Sequence, residues 1–400
     1  MKNKVYITNY WYARNYGACL TAFALHELVN ELNYKPCFIN NMPIYEKIQY
    51  PKIFNKKFIE KYCNTTKLCR NYSDFASLNL DSEIFITGSD QIFNPNLARN
   101  RINDYLLNFV DINAKKIAFS ASFGANKEYF LKENSKDTIE KFKIALKSFD
   151  KVSVREESGL EICKEVLGVE AEWIIDPVFI VDPNAYYNLI KESKIDTKDK
   201  IVSYVMEPEL DEFKKAYNYL STKFNAEVFN LDGFKYSCED WINAIKNCKL
   251  FVTDSFHGTC FAIMFNKPFI LISNKGSRNT RFDSIFKLFN IENKCIKNIT
   301  EIFHKDCIFT PNYENVNVII DKERMKGRKF LENALSSPII NFDEKKDAKI
   351  HYLNSLVKDY GNNSTIVKIL RKTIWNYWLN IYHRSPIIIK YFINFFRGKL

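Results

Sequence analysis

Leu250-Phe251-Val252-Thr253-Asp254-Ser255-Phe256-His257-Gly258-Thr259 is an apolar run that breaks into a polar turn, and the apolar segment Cys260 to Phe265 follows at once. An apolar run of this length, a polar break and a second apolar run read as a buried parallel strand, a tight turn and a packed helix. His257, one of five histidines in 400 residues, then stands at the carboxyl end of a strand, the edge where open α/β sheets bind ligands. Two readings remain open from this stretch alone: a functional imidazole, or a histidine that caps the helix start.

A second strand-end lies about a hundred residues upstream. Val152 to Val154 runs into Arg155-Glu156-Glu157-Ser158-Gly159 and then an amphipathic segment with Leu160, Cys163, Val166 and Leu167. The planar guanidinium of Arg155 suits a carboxylate or phosphate. Its alternative partner is an internal carboxylate, and strand alternation favours Glu157 over Glu156 in that role. A third apolar run, Ile84 to Thr87, ends in Gly88-Ser89-Asp90-Gln91, where the glycine allows close backbone approach. Three polar turns at three strand-ends point to one cleft.

The composition suits two globular domains: 46% of the residues are apolar and 15% aromatic. The net charge of +11 suggests anionic substrates or surfaces without requiring nucleic acid. No zinc-finger, RNP or helix-turn-helix signature is present. The ten cysteines include no Cys-x-x-Cys pair, so they read as reduced core residues, and no metal is expected. No GxGxxG, Walker-type or Asp-x-Asp element occurs, which argues against dinucleotide, P-loop and metal-nucleotide chemistry. The first residues turn polar after Val5 to Ile7, and no run reaches membrane-spanning length. The expected location is cytoplasmic.

Strands are expected at 4–8, 36–40, 84–87, 116–120, 151–154 and 173–175, with a helix over 17–32 presenting Leu20, Phe23, Ala24, Leu28 and Leu32. A second alternation places strands at 201–205, 226–230, 250–253 and 268–272 and a helix over 209–224. The expected fold is α/β, with two Rossmann-like domains facing a cleft: residues 1–185, residues 186–335, and a basic aromatic helical tail over 336–400. The last forty residues hold seven Lys or Arg and eight aromatics with no acidic residue. Ile366, Ile369, Leu370, Ile374, Tyr377, Trp378 and Ile381 recur at helical spacing, so residues 364–400 could lie on an anionic membrane or pack back on the protein.

Taken in order, these turns resemble the polysaccharide pyruvyl transferase family. The resemblance rests on Asn15-Tyr16-Gly17-Ala18, Gly88-Ser89-Asp90-Gln91, Ser120 to Gly124, Ser153-Val154-Arg155, Asp176-Pro177, Thr253 to Gly258, and Arg281 with Phe282. It implies a GT-B-like pair of domains and transfer of a pyruvyl group from phosphoenolpyruvate to two hydroxyls of one sugar, giving a cyclic ketal in cell-surface polysaccharide assembly. Phosphoenolpyruvate would then be a co-substrate, with no cofactor, and the other partner a saccharide, lipid-linked in one version. The resemblance makes Arg155 an anion ligand and His257 the proton donor. Asn15, Tyr16, Gly17, Gly88, Ser89, Asp90, Gln91, Ser255, Phe256, Gly258, Arg278 and Arg281 become substrate-binding candidates. Some members carry Arg where this chain has Ser255, so Arg278 or Arg281 would supply the missing cation. A nucleotide-sugar glycosyltransferase and a non-catalytic saccharide-binding descendant are the alternatives.

Overall fold

The computed structural model describes residues 3–13, 15–43, 54–206, 210–231, 235–273, 279–360 and 374. Arg278 and the tail helix expected over 364–400, Ile374 apart, lie outside the described residues.

Seven parallel strands form the first sheet: β1 (Lys4–Thr8), β2 (Lys35–Asn40), β3 (Thr65–Leu68), β4 (Ile84–Thr87), β5 (Lys115–Ala121), β6 (Lys151–Val154) and β7 (Glu172–Trp173). Their order is β3-β2-β1-β4-β5-β6-β7, so the chain reverses direction across the sheet between β1 and β4. The crevice outside the carboxyl ends of those two strands is where such a sheet accepts ligands. Residues 9–13 leave β1 there, and Gly88 to Gln91 leave β4. The second sheet has β8 (Ile201–Tyr204), β9 (Val228–Asn230), β10 (Leu250–Thr253) and β11 (Phe269–Leu271) in the parallel order β11-β10-β8-β9. Its reversal falls between β8 and β10, which brings Met206 and Asp254 to the matching edge. β10 is buried along its length, as expected for a strand covered on both faces. Only β3, at the sheet edge and short of apolar residues, left no periodic signal in the sequence.

The helices that hold the site are α1 (Tyr16–Glu31), α2 (Lys136–Lys147), α3 (Cys238–Asn247), α4 (Phe256–Met264), α5 (Thr280–Phe289), α6 (Tyr313–Ser336) and α7 (Phe342–Tyr360). One apolar core runs through both domains. Tyr16 of α1 stacks on Trp241 of α3, with ring centroids 5.6 Å apart and planes at 16°, and Tyr186 meets Phe261 of α4 edge-on at 5.1 Å. Such pairs add about 0.5–1.5 kcal/mol each beyond area burial.

The expected boundary at 336 does not describe the packing. α6 crosses back to the first domain, where Gly327 sits against Ile180, Phe330 lies 6.0 Å from Phe119, and Arg328 pairs with Glu31. α7 belongs to that domain too. Its Lys345 contacts both oxygens of Asp150 at 2.8 and 2.7 Å, both side chains being buried, and Lys349 donates to the carbonyls of Phe109 and Val110. Sequence periodicity could not show this, because the docking uses lysines whose partners lie about two hundred residues away.

Burial pushes the Lys349 ammonium down to about 8, with Asp111 opposing. The unfolded chain therefore binds more protons than the folded chain between that value and the free lysine pKa of about 10.4, and stability rises with pH across that window. The wild type should gain on the order of 2–3 kcal/mol relative to Lys349→Met between pH 7 and pH 10.5. Thermal melts of the two proteins at matched pH check it, and a pH-independent difference would rule out a depressed ammonium.

Candidate active site

A cavity of about 660 Å³ lies between the two sheet edges. The first domain contributes Tyr10, Tyr12, Asn15, Asp90, Gln91 and the Leu97 to Arg101 segment, and the second contributes Met206, Asp254 to His257, Arg281 and Phe282.

Two helix N-termini open onto it. Asn15 caps α1, its side chain accepting from Ala18 N–H at 3.0 Å. Ser255 caps α4, its hydroxyl oxygen accepting from Gly258 N–H at 3.2 Å. Neither helix has an acidic residue in its first turn, so the partial positive charge of each terminus is left for an anion. The cap of α4 is therefore Ser255, and the reading of His257 as a cap does not hold.

His257 sits against the first domain. Its Nε2 lies 3.4 Å from Asp176 Oδ2 and 3.5 Å from Arg155 Nη1. A protonated imidazole can donate to the carboxylate, and a neutral one can accept from the guanidinium, so both charge states have a partner at the same nitrogen. The ring also packs on the backbone of Gly17, where a Cβ would stand 2.2 Å from Nδ1. Gly17→Ala must therefore displace the imidazole. Because a misplacement near 1 Å costs on the order of 10²-fold in rate, turnover should fall by about that factor. Steady-state kinetics checks this, and an unchanged rate would remove His257 from the chemistry.

Asp176 organises the buried side of the site. It caps the helix Pro177–Ile180 through Val178 N–H at 3.1 Å, accepts from the Thr21 hydroxyl at 2.6 Å, and accepts from Arg155 Nη1 at 2.8 Å. Burial alone would raise its carboxyl, but His257, Arg155 and the Thr21 hydroxyl outweigh that and hold it well below the usual carboxylate range. Asp90 is likewise held low: burial opposes, and Arg155, His257 and Arg281 prevail.

Arg155 is corrected most by the structure. Its guanidinium is 1% exposed and lies behind the cavity, 2.8 Å from Asp176, 3.3 Å from Asp90 and 4.0 Å from Glu156. It is not a cavity-lining group. Glu157, its expected structural partner, instead pairs with Lys287 of α5 at 2.7 Å. The alternation argument failed because β6 ends at Val154, so Arg155 and Glu156 no longer follow strand geometry.

Arg281, unlike Arg155, does line the cavity. Burial pushes its guanidinium down to about 10, and neighbouring Arg155 adds to the effect. Asp90 and Glu156 oppose this from a distance, and no carboxylate among the described residues forms a direct ion pair with it. Both guanidiniums lie over the Phe256 ring, Arg155 4.8 Å and Arg281 5.1 Å from its centroid.

Of the remaining candidates, Asn15, Asp90, Gln91, Ser255 and Phe256 line the cavity. Tyr16, Gly17, Gly88, Ser89 and Gly258 do not. The Tyr16 hydroxyl donates to the Tyr236 carbonyl across the domain interface, and the Ser89 hydroxyl donates to the Ser120 carbonyl at 2.7 Å. A Cβ at Gly88 would meet the Phe119 carbonyl at 2.0 Å, and one at Gly258 would meet Thr253 Oγ1 at 2.9 Å. These residues shape the turns from behind. Sequence reasoning did not place Tyr10, Tyr12, Tyr105, Arg99, Arg101 or Asp176 at the site. Asp176 had one available signal, an Asp-Pro pair that caps a helix with proline at its first position.

Two parallel sheets with their carboxyl edges facing one cleft, and a helix N-terminus on each side of it, define a two-domain α/β protein of the GT-B type. The sequence model of the polysaccharide pyruvyl transferase family matches residues 15–276. The chain belongs to that family of transferases.

No curated protein matches the sequence. Among solved structures it is similar to the UDP-GlcNAc 2-epimerase of Neisseria meningitidis bound to UDP-GlcNAc, at 9% identity and TM-score 0.49, covering 90% of this chain and 100% of that one. It is similar to the UDP-N-acetylglucosamine 2-epimerase of Rickettsia bellii, at 12% identity and TM-score 0.44, covering 91% and 99%. Medicago truncatula UGT71G1, complexed with UDP-glucose, has 8% identity and TM-score 0.40, covering 94% and 98%. The strand orders, not these likenesses, define the fold.

Proposed function

We propose that the protein transfers the pyruvyl group of phosphoenolpyruvate to two hydroxyls of one sugar, forming a cyclic ketal and releasing inorganic phosphate, in the assembly of a cell-surface polysaccharide. The observation that carries this reading is His257 at a cavity wall beside Arg281 and two uncompensated helix N-termini, backed by the buried Asp176.

The compact anion sits at Arg281 and the helix ends. Protonated His257, with Nε2 against Asp176, donates its proton to the methylene carbon; that carbon becomes a methyl group and the adjacent carbon gains oxocarbenium character. A sugar hydroxyl adds there and gives its proton to the regenerated imidazole. Phosphate then leaves with its bonding pair, and the second hydroxyl of the same sugar closes the ketal intramolecularly, its proton passing to the departing phosphate. Ser255, at the position of the family arginine, caps α4, so its contribution is a neutral oxygen in place of a charge. The pairing of Arg281 with the α4 N-terminus compensates.

Incubation with phosphoenolpyruvate and a panel of lipid-linked and nucleotide-linked sugars tests the reading, with phosphate release and a new ketal methyl signal as the expected result. Turnover of a nucleotide sugar without phosphoenolpyruvate would favour glycosyl transfer instead. Arg281→Ala should weaken phosphoenolpyruvate binding by about 10–100-fold, the worth of one charge-assisted contact. Calorimetry reads that directly, and wild-type affinity in the variant would place the anion elsewhere.

Residues 364–400 complete the proposal as a basic, aromatic contact with an anionic membrane face on the cytoplasmic side. Each Lys or Arg near such a surface contributes on the order of 1 kcal/mol, screened by salt. Truncation after Asp359 should therefore abolish salt-sensitive co-sedimentation with anionic liposomes, and unchanged binding would end this part of the proposal. Among the described residues no helix is long and apolar enough to cross a membrane.

A further inference from the structure

Besides Arg281, two further arginines line the cavity. Arg99 and Arg101 line it from the first domain, whereas Arg281 comes from the second. Arg99 is exposed and has no acidic partner among the described residues. The Arg101 side chain is only 20% exposed, and its Nε is buried without a hydrogen-bond partner. The nearest carboxylate, Asp104 Oδ2, stands 3.6 Å from Arg101 Nη1, longer than a charge-assisted hydrogen bond, and already accepts from Asn41 Nδ2 at 3.0 Å. Burial pushes the Asp104 carboxyl up to about 6 against the pull of Asn41 and Arg101, so it is a weak counter-ion for that guanidinium.

The two arginines are held in place. Asn94 caps the short helix Pro95–Ala98, which carries proline at its start, and the Asn94 amide donates to Gln91 Oε1 at 3.2 Å. This anchors the Arg99 to Arg101 segment to the turn that follows β4. Beside it, Tyr10 and Tyr105 pack with ring centroids 5.0 Å apart, and the Tyr12 and Tyr105 hydroxyls lie 2.8 Å from each other. Aromatic faces and hydroxyls of this kind suit a sugar ring. Leu97 and Met206, 53% and 44% exposed, give the same cavity an apolar rim.

We propose that Arg99 and Arg101 form a second anion subsite, which holds the phosphate or diphosphate of an activated acceptor sugar while its ring lies against Tyr10, the partly exposed member of the tyrosine cluster. A neutral saccharide would leave a partly buried guanidinium without an acceptor, at a cost that a phosphate oxygen removes. The acceptor class is thus a sugar linked through phosphate, carried either on a nucleoside diphosphate or on an isoprenoid diphosphate. The assignment rests on the reading that Arg281 and His257 take phosphoenolpyruvate.

Calorimetry on the full chain tests it, with inorganic pyrophosphate as the first probe. Pyrophosphate should bind in the presence of saturating phosphoenolpyruvate. Arg99→Ala/Arg101→Ala should lower its affinity by about 10-fold or more, with phosphoenolpyruvate affinity unchanged. Arg281→Ala should show the reverse pattern. Should the double variant fail to fold, Arg99→Glu, at an exposed position, carries the same expectation. UDP and farnesyl diphosphate then separate the carriers: the one that binds more tightly than pyrophosphate identifies the carrier, and equal gains make the diphosphate itself the recognised group. Pyrophosphate that only displaces phosphoenolpyruvate, or that binds the Arg99 variants as tightly as wild type, overturns the subsite. If phosphoenolpyruvate fails to bind while pyrophosphate still depends on Arg99, the donor reading falls and the anion subsite stands.

Discussion

His257→Ala is expected to lower turnover by about 10²–10⁴-fold, the usual worth of a positioned general acid, while phosphoenolpyruvate affinity changes little. The separation follows from the geometry. On the proposed reading the anion is held by Arg281 and the N-termini of α1 and α4, whose caps are made by Asn15 and Ser255 and not by the imidazole. The imidazole is instead held from behind by Asp176 and Arg155 and from the side by Gly17. The pH-rate profile of the variant should also lose the limb that reports the protonated donor. Near-wild-type turnover would show that the proton comes from another group, and would leave His257 as a packing residue between the domains.

Arg155→Ala should act on stability before it acts on binding. Removing the guanidinium leaves Asp176, Asp90 and the fully buried Glu156 clustered without their shared cation. Breaking a buried ion pair by deleting one partner costs about 3–5 kcal/mol. The pH dependence supplies a sign. In the wild type Asp176 and Asp90 are held below their ordinary range, so their contribution is present above the unfolded carboxylate pKa and lost as pH falls through the folded values. In the variant Asp176 keeps His257 and the Thr21 hydroxyl, and Asp90 keeps His257 and Arg281, so both carboxyls should rise from their wild-type positions, and any that passes the unfolded value contributes stability at low pH that is lost as pH rises through the raised pKa. Melts between pH 5 and pH 8 should therefore show the deficit of the variant shrinking toward pH 5. A variant that keeps the wild-type melting temperature and loses only phosphoenolpyruvate affinity would return Arg155 to the role of direct anion ligand.

Both expectations depend on distinguishing what touches the cavity from what stands behind it. Gly88, Gly17 and Gly258 are quoted by the same short motifs as Asp90 and His257, yet their task is close backbone packing. Motif membership does not separate the two groups, since a turn needs its supporting residues as strictly as its exposed ones. Arg99 and Arg101 belong to no motif, and they reach the cavity only because the segment after β4 folds over the β1 edge.

The sequence by itself determined the alternation of strands and helices, the two-domain α/β fold and the strand-ends at which Asp90 and His257 would stand. Those features rest on local periodicity and on turn chemistry within a few residues, which a single chain displays directly. It also determined family membership, through the order of seven short motifs along most of the chain. Only the tertiary structure decided that Arg155 faces three carboxylates and not the cleft, that Arg281 lines the cavity, and that α7 docks on the first domain through Lys345 and Lys349. Those outcomes are electrostatic pairings between residues up to about 240 positions apart. Their partners are chosen by which charges burial leaves without water, a quantity that exists only once the chain has folded.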